Sequence, residues 1–330
     1  MPWKGEKDPY KIWLSEIILQ QTRVEQGWKY YTRFVETYPT ISKLAAAKDQ
    51  DVFKLWEGLG YYSRCKNLLF TAREIVKTRK AIFPEKYEEI LALKGVGPYT
   101  AAAIASFAYN LPYAVVDGNV FRVLSRYFGI EEPIDSAKGK HLFAETATRV
   151  LDKKEPGTYN QAIMDFGAAV CKPFSPGCAT CVLHKTCKAY RNGMVNRLPV
   201  KEKTLLRKNR WFYYFLFEHK GKIFVHQRTA SDIWQNLFEF YLLETGEMTK
   251  WDEDAIHNWL RSQLGIRLAT IRKISPVITQ QLTHQQIRGQ FISISLDHIP
   301  EILKKGKWVP GNKLSTLPFP KLITGYLGAV

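Results

Sequence analysis

The chain has 330 residues, 45% hydrophobic and 24% charged, a balance that builds globular domains and, at this length, two or three of them rather than one core. No apolar run nears the ~18 residues of a membrane span, and the opening MPWKGEKDPY has no signal-peptide core, so an intracellular protein without a membrane partner is expected. Forty-eight Lys and Arg against 31 Asp and Glu leave +17, which favours a polyanion such as nucleic acid as partner over the alternative of a basic protein that binds none.

From Asp8 to about Tyr190 the pattern is helical almost throughout. Asp8-Pro9 opens the first helix, the Asp as N-cap and the Pro at the first helical position. Within it, LSEIILQQT carries one carboxylate among apolar residues. Stepping about 100° per residue, Lys11, Ser15 and Thr22 share a stripe expected to face solvent, and Glu16 lies well away from it, between Ile12 and Trp13. A carboxylate so placed is desolvated, its pKa rises, and it gains the behaviour of a general acid; a buried Glu tied down by a salt bridge is the alternative. Further helices are expected in QGWKYYTRFVETY, ISKLAAA, QDVFKLWEGL, RCKNLLFTAREIVKTR, KYEEILAL, TAAAIASFAY, NVFRVLSRYFG and around KHLFAETATRVL, with short Gly, Pro and Asp breaks between them.

In LALKGVGPYTAAAIASFAY one helix ends at Leu93-Lys94 and another starts after Gly95-Val96-Gly97-Pro98. Glycines let the backbone approach a phosphate, and the first N–H groups of the second helix face it, the geometry of a helix-hairpin-helix that grips DNA backbone without reading sequence. An ordinary αα-corner with a Gly C-cap has the same signature. Asp117, in AVVDGNVFRVL, precedes a helix and is either its N-cap or a catalytic carboxylate held at the same place.

Cys65 stands alone, a buried or incidental thiol, whereas Cys171, Cys178, Cys181 and Cys187 fall inside CKPFSPGCATCVLHKTC. Four thiols in a Pro- and Gly-rich loop of an intracellular protein suit metal better than disulfides. By ligand count a four-iron cluster and a tetrahedral zinc are equal choices. VNRLPVKEKTLLRKN reads as a linker near 191–208. Beyond it WFYYFLFEHKGKIFVHQR predicts two strands joined by a Lys-Gly turn, DEDAIHNWLRSQL a helix, and QFISISLDHI a further strand, so the region 209–330 is expected to be an α+β domain.

SEIILQQTRV, GLGYYSR, LKGVGPYTAAAI, VVDGNVFRVL and the four-cysteine loop together resemble the helix-hairpin-helix DNA glycosylases and, with the second domain, the MutY-type adenine DNA glycosylases. The resemblance implies a multidomain protein: an all-α glycosylase domain over 1–190, with its hairpin near 90–108 and an iron-sulfur loop at 171–187, then an α+β Nudix-like domain over 209–330. It implies a [4Fe-4S] cluster on the four cysteines and a monomer, in the cytoplasm at the bacterial nucleoid. The implied partner is double-stranded DNA with A·8-oxoguanine or A·G mispairs.

Residue by residue, the family's general acid falls on Glu16 and its sugar-stabilising carboxylate on Asp117, with Asn119 and Tyr99 supporting them. DNA contacts fall on Gln20, Gln21, Thr22 and Tyr61, of which Gln21 and Tyr61 match residues inserted when adenine is flipped out. In the hairpin they fall on Lys94, Gly95, Val96 and Gly97. Thr283 and His284 match the loop that probes 8-oxoguanine, and Trp3 and Lys4 fall on the base pocket. Tyr99 stands where bifunctional members carry a nucleophilic Lys, so a monofunctional glycosylase is expected. Leu282 and Thr283 replace the common Phe and Ser, and no acidic Nudix box is present, so no pyrophosphohydrolase chemistry is expected. A thymine or uracil mismatch glycosylase and a non-catalytic iron-sulfur DNA-binding protein are the alternatives.

Overall fold

The computed structural model describes residues 5–202 and 207–328. Eleven helices come first: α1 (Pro9–Leu19), α2 (Val24–Thr37), α3 (Ile41–Ala46), α4 (Asp49–Trp56), α5 (Tyr62–Arg79), α6 (Tyr87–Leu91), α7 (Pro98–Tyr109), α8 (Gly118–Phe128), α9 (Ala137–Val150), α10 (Pro156–Ala169) and α11 (Lys188–Arg191). Then follow β1 (Lys208–His219), β2 (Lys222–Gln227), β3 (Phe238–Glu239), β4 (Tyr241–Thr245), α12 (Glu253–Leu264), β5 (Thr270–Ile274), β6 (Ile278–Gln281), β7 (Gln285–Ser295), β8 (Lys307–Pro310) and α13 (Lys321–Leu327). The chain divides into two compact units: Met1–Ala46 with Lys66–Thr204, and Ala47–Cys65 with Leu205–Val330.

In the first unit α1 starts as its sequence dictates, with Asp8 accepting the Tyr10 N–H at 2.9 Å and Pro9 at the first helical position. The stripe expected to face solvent is not there. Ser15 is buried, its hydroxyl donating to the Ile12 carbonyl at 2.7 Å, and between Tyr10 and Ile18 only Lys11 keeps partial exposure. The reason is that α1 packs against both α2 and α7. The small residues Ala101, Ala102, Ala103 and Ala105 of α7 are buried and allow this close approach.

The helix α10 carries no clear sequence signal, because two glycines lower its propensity. Packing explains them: a Cβ on Gly157 would sit 2.7 Å from the Ser106 carbonyl of α7, and one on Gly167 would sit 2.7 Å from Asn119 Cβ of α8. Asn160, also on α10 and buried, accepts from the Val115 N–H at 3.1 Å and donates to Ser106 Oγ and the Tyr113 carbonyl at 3.0 and 2.8 Å. These contacts set α10 beside the strand-like approach to α8.

The stretch read as a linker is partly structure of this unit. Ile134 N–H donates to the Val200 carbonyl at 3.0 Å, and Glu202 N–H to Asp135 Oδ1 at 3.0 Å.

The second unit is built on an eight-stranded mixed sheet, with order β3-β2-β1-β7-β5, β4 paired to β1, β6 to β7 and β8 to β2. The Lys220-Gly221 turn joins β1 to β2 with both residues at positive φ, 48° and 71°, the twist a two-residue hairpin requires. β1 runs parallel to β7 over its length, from Lys208↔Gln285 to Glu218↔Ser295. Its residues WFYYFLF do not alternate in polarity because both faces are covered. Trp211, Tyr213, Phe215 and Phe217 join Ile256, Leu260 and Leu264 of α12 in one core. On the other side Tyr214 stacks on Phe291, which stacks on Tyr326 of α13 at 4.0 Å.

Candidate active site

Glu16 lies at the centre of the candidate site in the first unit. It is 4% exposed, and burial pushes its carboxyl up to about 7, against a hydrogen bond from Tyr99 and with the charge of Asp117 acting in the same sense as burial. Burial, and then the charges of Glu16 and Asp117, hold the Tyr99 phenol well above its ordinary value. A carboxyl that titrates near neutrality, beside a second carboxylate and a phenol, is equipped to deliver a proton.

Asp117 bears out the capping reading, and its charge acts on Glu16. It is the N-cap of α8, its Oδ1 accepting the N–H groups of Asn119 and Val120 at 2.8 Å each, while Oδ2 accepts Asn119 Nδ2 at 2.6 Å. Capping fixes the carboxylate's position without using up its charge. Asn119 Oδ1 in turn accepts Arg122 Nη2 at 2.6 Å. Arg122 also donates to the carbonyls of Gly167 at 2.8 Å, Gly118 at 2.8 Å and Cys171 at 3.1 Å. Sequence reasoning missed Arg122. Its signal is the i,i+4 pair Arg122 and Arg126 on the helix that Asp117 caps, where two cations share one face.

Glu16 also lines a cavity of about 370 Å³ with Glu6, Lys7, Phe107, Thr158 and Gln161, a size that small-ligand sites share. Lys7 Nζ donates to the Phe107 carbonyl at 3.0 Å, and Gln161 Nε2 to Asp165 Oδ1 at 3.0 Å, so the polar wall is held in place. Thr158 and Gln161 lie on α10 and escape a reading that does not foresee that helix. Trp3 and Lys4, expected at the base pocket, lie outside the described residues.

The expected DNA contacts fall in three places. After α1 ends at Leu19, Gln20 is its C-cap and donates to Thr100 Oγ1 at 3.4 Å, Gln21 takes a left-handed φ of 55°, and the Thr22 hydroxyl donates to the Gln20 carbonyl at 3.3 Å. Gln21 therefore projects from the turn after the helix, not from the helix that bears Glu16. In the hairpin Gly95 has φ +82°, Gly97 caps α7, Val96 is buried, and Lys94 is exposed with Nζ 4.3 Å from the Phe70 ring centroid. The α6 helix ends at Leu91 rather than Leu93-Lys94, its next carbonyls being taken up by the turn. In the second unit Thr283 and His284 form the turn between β6 and β7, and Thr283 Oγ1 is hydrogen-bonded to the hydroxyl of Tyr61.

Cys171, Cys178, Cys181 and Cys187 line one cavity together with Arg126 and His184, all four as free thiols. Leu183 N–H donates to Cys181 Sγ and Arg126 Nη1 to Cys171 Sγ, each at 3.4 Å. N–H donors to sulfur and a neighbouring guanidinium are what thiolates bound to a metal group require. Among the described residues no three His, Cys, Asp or Glu side chains converge as ligands of a single ion. His184 bonds to the Cys181 carbonyl at 2.7 Å, a loop contact. Cys65 is buried, and burial raises its thiol well above the ordinary value, so it is inert.

Comparison with known proteins defines the class first. Residues 14–147 match the model of the HhH-GPD superfamily of base excision DNA repair proteins, and residues 212–329 match that of the NUDIX domain. The structure of a thermostable thymine-DNA glycosylase aligns with a TM-score of 0.54 at 30% identity, over 58% of this chain and 88% of that one. The adenine DNA glycosylase of Buchnera aphidicola subsp. Baizongia pistaciae is 37% identical over 242 residues, 73% of this chain and 68% of that protein. That of Schizosaccharomyces pombe is 42% identical over 190 residues, 57% of this chain and 41% of that protein. The chain belongs to the adenine DNA glycosylase family.

Proposed function

We infer that this chain hydrolyses the N-glycosidic bond of adenine mispaired with 8-oxoguanine or guanine in double-stranded DNA, without a strand-cleaving step of its own. The observation that carries this reading is the buried Glu16, with its pKa near 7, hydrogen-bonded by Tyr99 and facing the charge of Asp117.

Adenine cannot be reached inside a duplex, so it is flipped out, and the cavity beside Glu16 receives it. Glu16 gives its proton to the base, chiefly at N7, so that the electrons of the breaking bond are accepted by a neutral leaving group. The carboxylate of Asp117, held by three N–H donors, stabilises the positive charge that develops at the sugar. Water then adds to C1′ as hydroxyl and gives its other proton to the Glu16 carboxylate, which restores the acid, as in carboxylate-assisted glycoside hydrolysis. Tyr99 offers a phenol where a Schiff base would need an amine, which supports a monofunctional enzyme.

Preference for 8-oxoguanine is supported by the Nudix-family second domain and its Thr283 turn. The four-cysteine cavity supports a [4Fe-4S] cluster held by Cys171, Cys178, Cys181 and Cys187. A cluster there would be held in a loop whose Cys171 and Lys172 carbonyls Arg122 and Arg126 already bond. The net charge of +17 supports duplex DNA as partner. A cytoplasmic monomer is the setting this reading assigns.

Single-turnover excision by Glu16→Gln on an A·8-oxoguanine duplex tests the assignment. Loss of excision with retained DNA binding is expected; excision at the wild-type rate would show that Glu16 is not the acid.

A further inference from the structure

The second unit includes a piece of chain far from it in sequence, residues 47–65, which holds α4 and the turn Gly58-Leu59-Gly60-Tyr61. Two residues of α4 and its C-cap grip main chain near the C-terminus. Glu57 Oε1 accepts the Phe319 N–H at 2.8 Å, Glu57 Oε2 accepts Lys54 Nζ at 2.6 Å, and Lys54 Nζ also donates to the Leu317 carbonyl at 3.1 Å. The gripped segment is rigid, because Phe319 is fully buried and stacked on Phe240, and the Pro318 carbonyl accepts the Phe238 N–H at 2.9 Å.

The turn that follows is strained and braced. Gly58, Gly60 and Tyr61 have φ of 89°, 79° and 47°, the last costly for a residue with a side chain. The Gly60 carbonyl accepts from Trp56 Nε1 at 3.0 Å and from Arg64 Nη2 at 3.2 Å, and the Arg64 guanidinium lies 5.4 Å from the Tyr61 ring centroid. Tyr61 remains 39% exposed, with its hydroxyl on Thr283. The segment is thus attached to the sheet unit on both sides of the turn, by Lys54 and Glu57 before it and by Tyr61 at its end.

We propose that Glu57, with Lys54, is a positioning residue that clasps the Tyr61 turn to the second unit, so that Tyr61 and Thr283 meet the mispair as one preassembled element and partner-base discrimination depends on the clasp. An unclasped turn would have to be ordered by the DNA itself, at the cost of the discrimination that preorganisation supplies. The inference rests on the proposed preference for 8-oxoguanine.

The test measures single-turnover excision from A·8-oxoguanine and A·G duplexes by wild type, Glu57→Ala, Glu57→Gln, Tyr61→Ala and the Glu57→Ala/Tyr61→Ala pair, with hydrogen exchange of the Gly58 and Phe319 amides. Glu57→Ala is expected to lower the A·8-oxoguanine to A·G rate ratio about tenfold, the loss of one charge-assisted hydrogen bond, and to speed both amides' exchange. Glu57→Gln, which keeps an acceptor for Phe319, is expected to restore most of the ratio. The double variant is expected to discriminate no worse than Tyr61→Ala alone. A parallel fall on both duplexes, an unchanged ratio, or additive effects of Glu57→Ala and Tyr61→Ala would overturn the clasp. A wild type that shows no preference would instead sink the 8-oxoguanine reading, and the clasp would then stand or fall on the amide exchange and on non-additivity with A·G.

Discussion

Arg122 donates to Asn119 Oδ1 at 2.6 Å, and Asn119 donates to Asp117 Oδ2 at the same distance. One guanidinium thus orients the amide that orients the carboxylate, and its remaining donors hold the Gly167 and Cys171 carbonyls. The relationship joins α8, α10 and the cysteine loop at the point where the sugar would react.

Replacing Arg122 should therefore cost both chemistry and structure. Arg122→Ala removes the donor to Asn119 Oδ1 and one donor each from the Gly167 and Cys171 carbonyls, and excision is expected to fall at least tenfold, with stability lower by about 1–3 kcal/mol. Arg122→Lys is expected to recover little, since an ammonium cannot reproduce the planar fork. Single-turnover rates and thermal melting check both, and a wild-type rate in either variant would remove Arg122 from the positioning chain.

The pH dependence follows from Glu16. The proposed general acid acts in its protonated form, so the rate is expected to be full below pH 6 and to fall as pH rises through about 7. The linkage has the same sign. The folded-state pKa is raised, so the stability it confers is complete below the unfolded value near 4.5 and is lost as pH rises through about 7. Glu16→Gln is expected to abolish this loss and to melt higher than wild type at pH 8, while losing excision.

Tyr99→Phe probes the same carboxyl from its partner. The Tyr99 hydrogen bond lowers the Glu16 pKa against burial, so its removal is expected to move the alkaline limb of the pH–rate profile to higher pH. A limb that moves to lower pH would mean that the phenol acts on the acid in another way.

For the cysteine loop, purified protein is expected to be brown, with about four irons per chain. Cys178→Ser is expected to lower iron content and to destabilise the loop that Arg126 grips through Lys172 at 2.7 Å. Stoichiometric zinc in colourless protein would overturn the cluster assignment.

The parts legible in the sequence are those with local causes. Asp8-Pro9, the Gly95-Val96-Gly97-Pro98 turn, Asp117 before α8 and the Lys220-Gly221 hairpin each announce themselves through capping or turn chemistry, and the structure has them. The burial of Ser15 was not legible, because helical spacing says nothing about how many neighbours a helix has. α10 was hidden by glycines whose purpose appears only when Ser106 and Asn119 are seen beside them. The membership of residues 47–65 in the second unit depends on hydrogen bonds spanning more than 250 positions, such as Glu57 to Phe319, and no linker composition signals it. Arg122 likewise acquires its meaning from the Gly167 and Cys171 carbonyls that tertiary structure brings to it.

Excision of adenine by Glu16 and Asp117 is tested by single-turnover base release from A·8-oxoguanine, A·G and T·G duplexes, each analysed with and without alkali. Adenine is expected to leave the first two, fastest opposite 8-oxoguanine, with strand breaks only after alkali. Release of thymine in place of adenine, or strand cleavage without alkali at the rate of base loss, would contradict it.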